Sequence, residues 1–160
     1  MDKDWIFTNN EYICDLRVVG VLIKDNRVLV QWECGGNEFA LPGGHIKIGE
    51  TLCDGLIREF KEETDADIFC KRLLWTEECF WEWRGKSAHT IAFYYLIDLC
   101  EGSEIPDENE FISHKDNCNV LIGWMPVDEI RNVIIYPEFL NKEIYNLTDY
   151  PKHFVSKILF

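Results

Sequence analysis

The run Leu41-Pro42-Gly43-Gly44-His45-Ile46-Lys47-Ile48-Gly49-Glu50-Thr51, continuing from Leu52 to Ile68, is the most informative part of the 160-residue chain. Thr51, with Asp54 three residues on, is a capping-box-like helix start with Asp where Glu is usual. At about 100° per residue, Leu52, Leu56, Ile57 and Phe60 fall within an arc of roughly 140°, which marks a core-facing stripe. Glu59, Glu62 and Glu63 occupy an adjoining arc of roughly 100°. Carboxylates gathered at the rim of a buried face repel one another, whereas a solvated face would alternate in sign to form i, i+4 pairs. Such a cluster becomes favourable when a hard cation, Mg²⁺ or Mn²⁺, sits among the oxygens. Gly43 and Gly44, just ahead, let backbone pass close to a ligand, and a carbonyl there can complete the shell of an ion.

These residues resemble the Nudix box, G-x5-E-x7-R-E-U-x-E-E-x-G-U, where U is a bulky aliphatic residue. Gly44 opens the box, five residues lead to Glu50, and seven more lead to Arg58-Glu59. Phe60 fills the first apolar position, Glu62-Glu63 follow Lys61, and Leu41-Pro42-Gly43-Gly44 looks like the family's usual approach. The departures are Asp65 at the box glycine, aromatic Phe60, and small Ala66 at the last apolar position. That glycine ends the helix in a conformation which often is left-handed, and Asp tolerates it better than most side chains.

The resemblance implies an α/β Nudix fold, an α/β/α sandwich with a mixed β-sheet. With no repeat or linker to divide it, the chain reads as one such domain over 1–160, with a core at about 17–131 and a helical extension at about 137–160. The resemblance further implies a metal-dependent pyrophosphohydrolase that cleaves a nucleoside diphosphate linked to X into NMP and phospho-X. Carried over by position, Glu59, Glu62 and Glu63 would be ligands for Mg²⁺ or Mn²⁺, with the Gly43 carbonyl as a further ligand. Glu59 or Glu63, or an acid from a later loop, would take the proton of the attacking water. Glu50 and Arg58 would orient the cluster, Arg58 through bidentate geometry. Glu108 and Glu110, central in the acidic segment 98–117, are the candidates for an additional ligand or base. Gly44 would lie against the substrate, and His45 reads as a loop residue. The alternative reading is a nucleotide-sensing Nudix module without catalysis.

Outward from the box, Arg17 to Lys24 and Arg27 to Glu33 read as strands joined by a tight turn at Lys24-Asp25-Asn26-Arg27. Cys34 to Gly44, with four glycines and a proline, reads as an irregular loop. Ile68 to Trp75 and Phe80 to Trp83 read as two strands, the second turning at Arg84-Gly85-Lys86. Thr90 to Leu99, almost continuously apolar, reads as a central strand buried on both faces. Asp98 to Asn117 holds seven acids and one lysine and reads as a loop. Asn119 to Met125 returns to strand character, Pro126 opens a short helix through Arg131, and Pro137 starts a second helix with Phe139, Leu140, Ile144 and Leu147 on one face. Substrate identity lies outside the box. Nucleobases stack on aromatic faces, and Trp32 and Phe39, flanking the glycine loop, are the preferred candidates. A four-cysteine zinc module is absent, and Trp81 and Trp83 stand where certain subfamilies carry a marker proline or tyrosine. The expectation is a nucleoside triphosphate, a damaged nucleotide or a nucleotide sugar.

Composition bounds the partners. Acids number 29 against 16 bases, for a net charge of −13, which argues against duplex DNA, capped RNA and an anionic membrane. The chain is 47% hydrophobic with six Trp, enough for a substantial core rather than a disordered chain. Seven cysteines without a C-x-x-C pair suggest free thiols in a reducing cytoplasm. No secretory signal is visible at the start, and no apolar run is long enough to span a bilayer. A small-molecule nucleotide is the expected partner, with a homodimer as the family habit.

Overall fold

The computed structural model describes residues 3–107, 110–115 and 119–158. In chain order the elements are β1 (Ile6–Thr8), β2 (Tyr12–Lys24), β3 (Arg27–Glu33), β4 (Glu38–Ala40), β5 (Gly43–His45), α1 (Leu52–Thr64), β6 (Ile68–Trp83) and β7 (Lys86–Leu99). There follow β8 (Phe111–Ile112), β9 (Val120–Pro126), a 3-10 helix (Val127–Asn132), β10 (Ile134–Tyr136), α2 (Leu140–Glu143) and β11 (Lys152–Lys157). The expected β2–β3 hairpin forms because Asp25 and Asn26 both accept positive φ, 51° and 58°, as a two-residue turn between twisted strands requires.

β2 organises the sheet. One edge pairs in parallel with β7, from Tyr12 opposite Ser87 to Leu22 opposite Ile97. The other edge is shared along its length by β1, then β5, then β3. β6 pairs antiparallel with the far edge of β7, and β11 runs parallel to β6. On the second leaf, β9 and β4 flank β3, β10 pairs in parallel with β4, and β8 pairs with β9. The sheet is therefore mixed.

Alternation along β2 separates two cores. Val18 and Leu22 pack with Leu56 and Phe60 of α1, together with Leu29, Ala66, Ile68 and Ile97. Val21 points the other way, into a cluster with Trp75, Tyr94, Ile130, Ile135, Leu140 and Ile144. Helical elements thus lie on both faces of the sheet, which gives the expected α/β/α layering. Gly20 makes the α1 side possible, because a Cβ there would lie 2.5 Å from Cε2 of Phe60.

Several expectations are corrected, and the expected loops at 34–44 and 98–117 hold the short strands β4, β5 and β8. The segment at about 137–160 is not a helical extension. It makes one turn of helix, Leu140–Glu143, and then strand β11. Leu140 and Ile144 do pack inward as their spacing suggests, but the helix stops at Glu143, and Lys152–Lys157 alternates with the period of a strand seated on β6. The two strands expected between Ile68 and Trp83 are one strand, with register irregularities at Cys70/Arg72 and Leu73/Trp75. β7 is central, yet it is not buried on both faces: Thr90, Ala92 and Tyr94 point inward while Ile91 stays exposed. β2 also starts at Tyr12, before the expected core boundary near residue 17.

Candidate active site

Local sequence sets α1 in place. Thr51 caps it in an extended conformation, with its Oγ1 accepting from the Asp54 amide at 3.1 Å and donating to Asp54 Oδ2 at 2.6 Å. At the far end Asp65 is left-handed, φ 58° and ψ 8°, and its amide donates to the Lys61 carbonyl. The substitution at the box glycine therefore leaves the helix end intact, for the reason anticipated from the tolerance of Asp. Phe60 is fully buried and Ala66 nearly so.

The carboxylates fall as the helical wheel requires. Glu59 and Glu63, one turn apart, are 3% and 4% exposed, while the Glu62 side chain keeps 37% exposure at the rim. Arg58 ties the group together. Its Nε and Nη2 donate to the two oxygens of Glu50 at 2.7 and 3.0 Å, Nη1 donates to Glu59 Oε1 at 2.6 Å, and Nη2 also donates to the His45 carbonyl at 3.0 Å. Glu50 accepts a further bond from the Lys47 amide at 2.9 Å. The guanidinium of Arg58 holds the Glu50 carboxyl below its ordinary value, and Glu50 in turn pushes Arg58 upward. Gly44 lies directly against Glu59: a Cβ at that position would sit 2.2 Å from the Glu59 carboxyl carbon. Any side chain at 44 would displace the carboxylate.

Two features were not expected from the sequence. Lys115, just after β8, places its Nζ 2.5 Å from Glu59 Oε2 and 3.2 Å from Glu62 Oε2. Burial lowers the affinity of this ammonium for its proton, but the two carboxylates outweigh that and raise it overall. The acidic segment thus brings a cation to the cluster; its one lysine among seven acids was the available signal. Glu110 is exposed and does not line the cleft at the cluster, and Glu108 lies outside the described residues. The second feature is a buried Asp15. Its Oδ2 is 2.8 Å from His45 Nε2, and its Oδ1 accepts from Thr90 at 2.5 Å, with Thr90 accepting from the Trp81 indole at 3.0 Å. Burial pushes the Asp15 carboxyl up, yet the His45 and Thr90 bonds and the charge of Arg17 outweigh it and hold it down. His45, expected to be a loop residue, is therefore tied into the floor of the site.

The cluster opens on a cleft of about 400 Å³ lined by Arg17, Gln31, Gly43, Gly44, His45, Arg58, Glu59, Glu62, Glu63 and Lys115. Arg17, Gln31 and Gly43 also line an adjoining cavity of about 550 Å³ between the leaves. Trp32 and Phe39 pair across β3 and β4, ring centroids 5.3 Å apart, and line a third pocket of about 500 Å³ that touches the others through Gln31. The structure brings Gly43, Gly44, Arg58, Glu59, Glu62 and Glu63 to one cleft and sets Glu50 behind them. Trp32 and Phe39 sit one pocket away.

A divalent ion fits this cleft by chemistry and space. The donors are all carboxylate oxygens, and a nearly buried Glu59 already draws two cations to itself. Among the described residues no three acid, His or Cys side chains stand ready around an ion, and Arg58 and Lys115 both engage Glu59. An ion shared by Glu59 and Glu62 would take the place of the Lys115 ammonium.

Comparison with known proteins agrees with this geometry. Over 88 residues the chain is 33% identical to an ADP-ribose pyrophosphatase of Methanocaldococcus jannaschii, covering 53% of this chain and 51% of that protein. Over 118 residues it is 32% identical to Nudix hydrolase 5 of Arabidopsis thaliana, covering 70% of this chain and 36% of that protein. The chain thus spans about half or less of the length of these curated relatives. Among solved structures, a mutator MutT protein of Bacillus halodurans superposes with a TM-score of 0.63 at 18% identity, covering 88% of this chain and 90% of that one, which speaks to the fold. The NUDIX domain model matches residues 15–147, so the chain belongs to the Nudix family.

Proposed function

We propose that the protein is a metal-dependent pyrophosphohydrolase. It would cleave a nucleoside diphosphate linked to X, such as a nucleoside triphosphate, a damaged nucleotide or a nucleotide sugar, into NMP and phospho-X by attack of water on phosphorus. The observation that carries this reading is the set of Glu59, Glu62 and Glu63 on one face of α1, pressed against Gly44 and clamped by Arg58 to Glu50. The Methanocaldococcus relative is named an ADP-ribose pyrophosphatase, which belongs to the same reaction class.

In this reading Glu59, Glu62 and Glu63 would hold Mg²⁺ or Mn²⁺, with the Gly43 carbonyl as a further candidate. Bound there, the ion supplies positive charge against the oxygens of the phosphates. Arg58 keeps Glu59 and Glu50 in fixed orientation, so these two carboxylates hold their geometry once the ion has replaced Lys115. Arg17, on the wall between the two cavities, attracts the phosphates. Glu63 or Glu59, largely removed from bulk water, accepts the proton of the attacking water. The described cysteines are free thiols, which suits residence in the cytoplasm, and a homodimer is part of the same proposal.

The test is a nucleotide panel incubated with Mg²⁺ or Mn²⁺ and with EDTA, the products identified by mass. NMP and phospho-X should form only with metal, and Glu63→Gln should lower turnover by about 10²-fold or more. Undiminished turnover in Glu63→Gln, or equal turnover in EDTA, would overturn the mechanism. The Lys115–Glu59 pair favours a second reading, a nucleotide sensor whose ion site stays closed. Tight nucleotide binding with intact ligand recovered after long incubation with metal would establish it.

A further inference from the structure

The 550 Å³ cavity beside the carboxylate cluster is mostly walled by apolar groups, among them Leu41, Ala92 and Phe139. A charged side chain nevertheless lies in its wall. Glu77, in the middle of β6, is 4% exposed and sits opposite Ala92 of β7 and Phe154 of β11. Its Oε2 accepts from the Tyr94 hydroxyl at 2.5 Å, and among the described residues it makes no salt bridge. Burial, together with the charge of Glu77, raises the Tyr94 phenol well above its ordinary value, so the phenol remains a donor. An ionised carboxylate has room for about four hydrogen bonds. One phenol leaves most of that capacity unused in a place where an unmet charge is costly.

Taking the carboxylate cluster as the reacting site, as proposed above, we propose that Glu77 reads the nucleobase and selects guanine nucleotides. The path follows from shared walls. Arg17 and Gly43 line both the cleft at Glu59 and the cavity at Glu77, so phosphates held at Arg17 leave the base to enter the cavity. There the carboxylate offers two acceptors side by side. Guanine presents two adjacent donors, N1–H and N2–H, and meets both acceptors with charge-assisted bonds. Adenine and cytosine place an acceptor beside their amino group, and uracil flanks its N3–H with two carbonyls. Each of these sets a lone pair against the carboxylate, which is the repulsive part of the selection. Trp81 and Phe139 in the same wall supply aromatic surface for the ring.

Binding of nucleoside diphosphates, measured by calorimetry with and without Mg²⁺, tests this separately from hydrolysis. The wild-type protein should bind GDP about tenfold or more tightly than IDP, which lacks only the N2 amino group, and more tightly than ADP, CDP and UDP. Glu77→Gln replaces one acceptor with a donor and should erase the GDP preference, moving the ratio toward ADP. Equal binding of GDP and IDP, or a GDP:ADP ratio unchanged in Glu77→Gln, would overturn the assignment. The GDP–IDP comparison needs no variant, so it stands even if Glu77→Gln does not fold. Guanine-selective binding without hydrolysis would uphold Glu77 while removing the proposed reaction. Hydrolysis with no preference among bases would do the reverse.

Discussion

Replacing Arg58 with methionine removes the one group that touches Glu50, Glu59 and the His45 carbonyl together. Methionine keeps much of the aliphatic length, so the loss is mainly that of charge and of five donated bonds, the fifth being Nη1 to Glu62 at 3.4 Å. Breaking a buried ion pair on one side costs about 3–5 kcal/mol, because the remaining charge loses its partner. Two features place Arg58→Met at the lower end. The arginine side chain keeps 20% of its exposure, and Lys115 still faces Glu59. A loss of about 3 kcal/mol in a chain of this length corresponds to a fall in Tm of roughly 6–12 °C. The measurement is a thermal melt followed by tryptophan fluorescence in EDTA at neutral pH, then repeated with Mn²⁺. An ion at a hundred times its Kd stabilises the folded state by about 2.7 kcal/mol. Without Arg58 the cluster is more negative and holds the ion more tightly, so the deficit should shrink when Mn²⁺ is present. A Tm in EDTA within about 1 °C of the wild type would refute the view that Arg58 neutralises a buried cluster.

Three other perturbations probe the same neighbourhood. Gly44→Ala places a methyl 2.2 Å from the Glu59 carboxyl carbon; it should cost about 1–3 kcal/mol of stability and about 10²-fold in turnover, measured by melts and by the nucleotide panel. Lys115→Met removes the ammonium that competes for Glu59 and Glu62, so Mn²⁺ affinity read by electron paramagnetic resonance should rise; weaker binding would show that the lysine assists the ion. Asp15 has its carboxyl held below the ordinary value in the folded state, so its contribution is complete above about pH 4 and fades as pH falls through the lower folded value. Asp15→Asn should therefore lower Tm at neutral pH, by an amount corresponding to about 2 kcal/mol, and the gap to wild type should close in acid.

The helix and its chemistry were legible because their information is local. The stripe of Leu56 and Phe60, the cap at Thr51, the left-handed end at Asp65 and the shared arc of Glu59 and Glu63 all follow from a period of 3.6 residues and from side-chain reach within a few positions. The β2–β3 turn belongs to the same class. The C-terminal segment was misread because a six-residue alternation becomes a strand only against a partner, and that partner is β6, with Lys152 opposite Trp75.

The wider site depends on contacts that no local rule contains. Lys115 reaches Glu59 across 56 positions of sequence, and His45 meets Asp15 across 30. The sequence by itself determined the residues able to gather around a cation and the helix face that presents them. Only tertiary structure decided which cation reaches those carboxylates in the protein, which arginine joins the cleft to the cavity, and that Glu77 stands in that cavity's wall. Those relations come from how β2, β6 and β7 lie side by side and where the chain returns after β8. Spacing along a chain encodes periodicity, whereas side chains far apart in sequence meet only once the sheet is assembled.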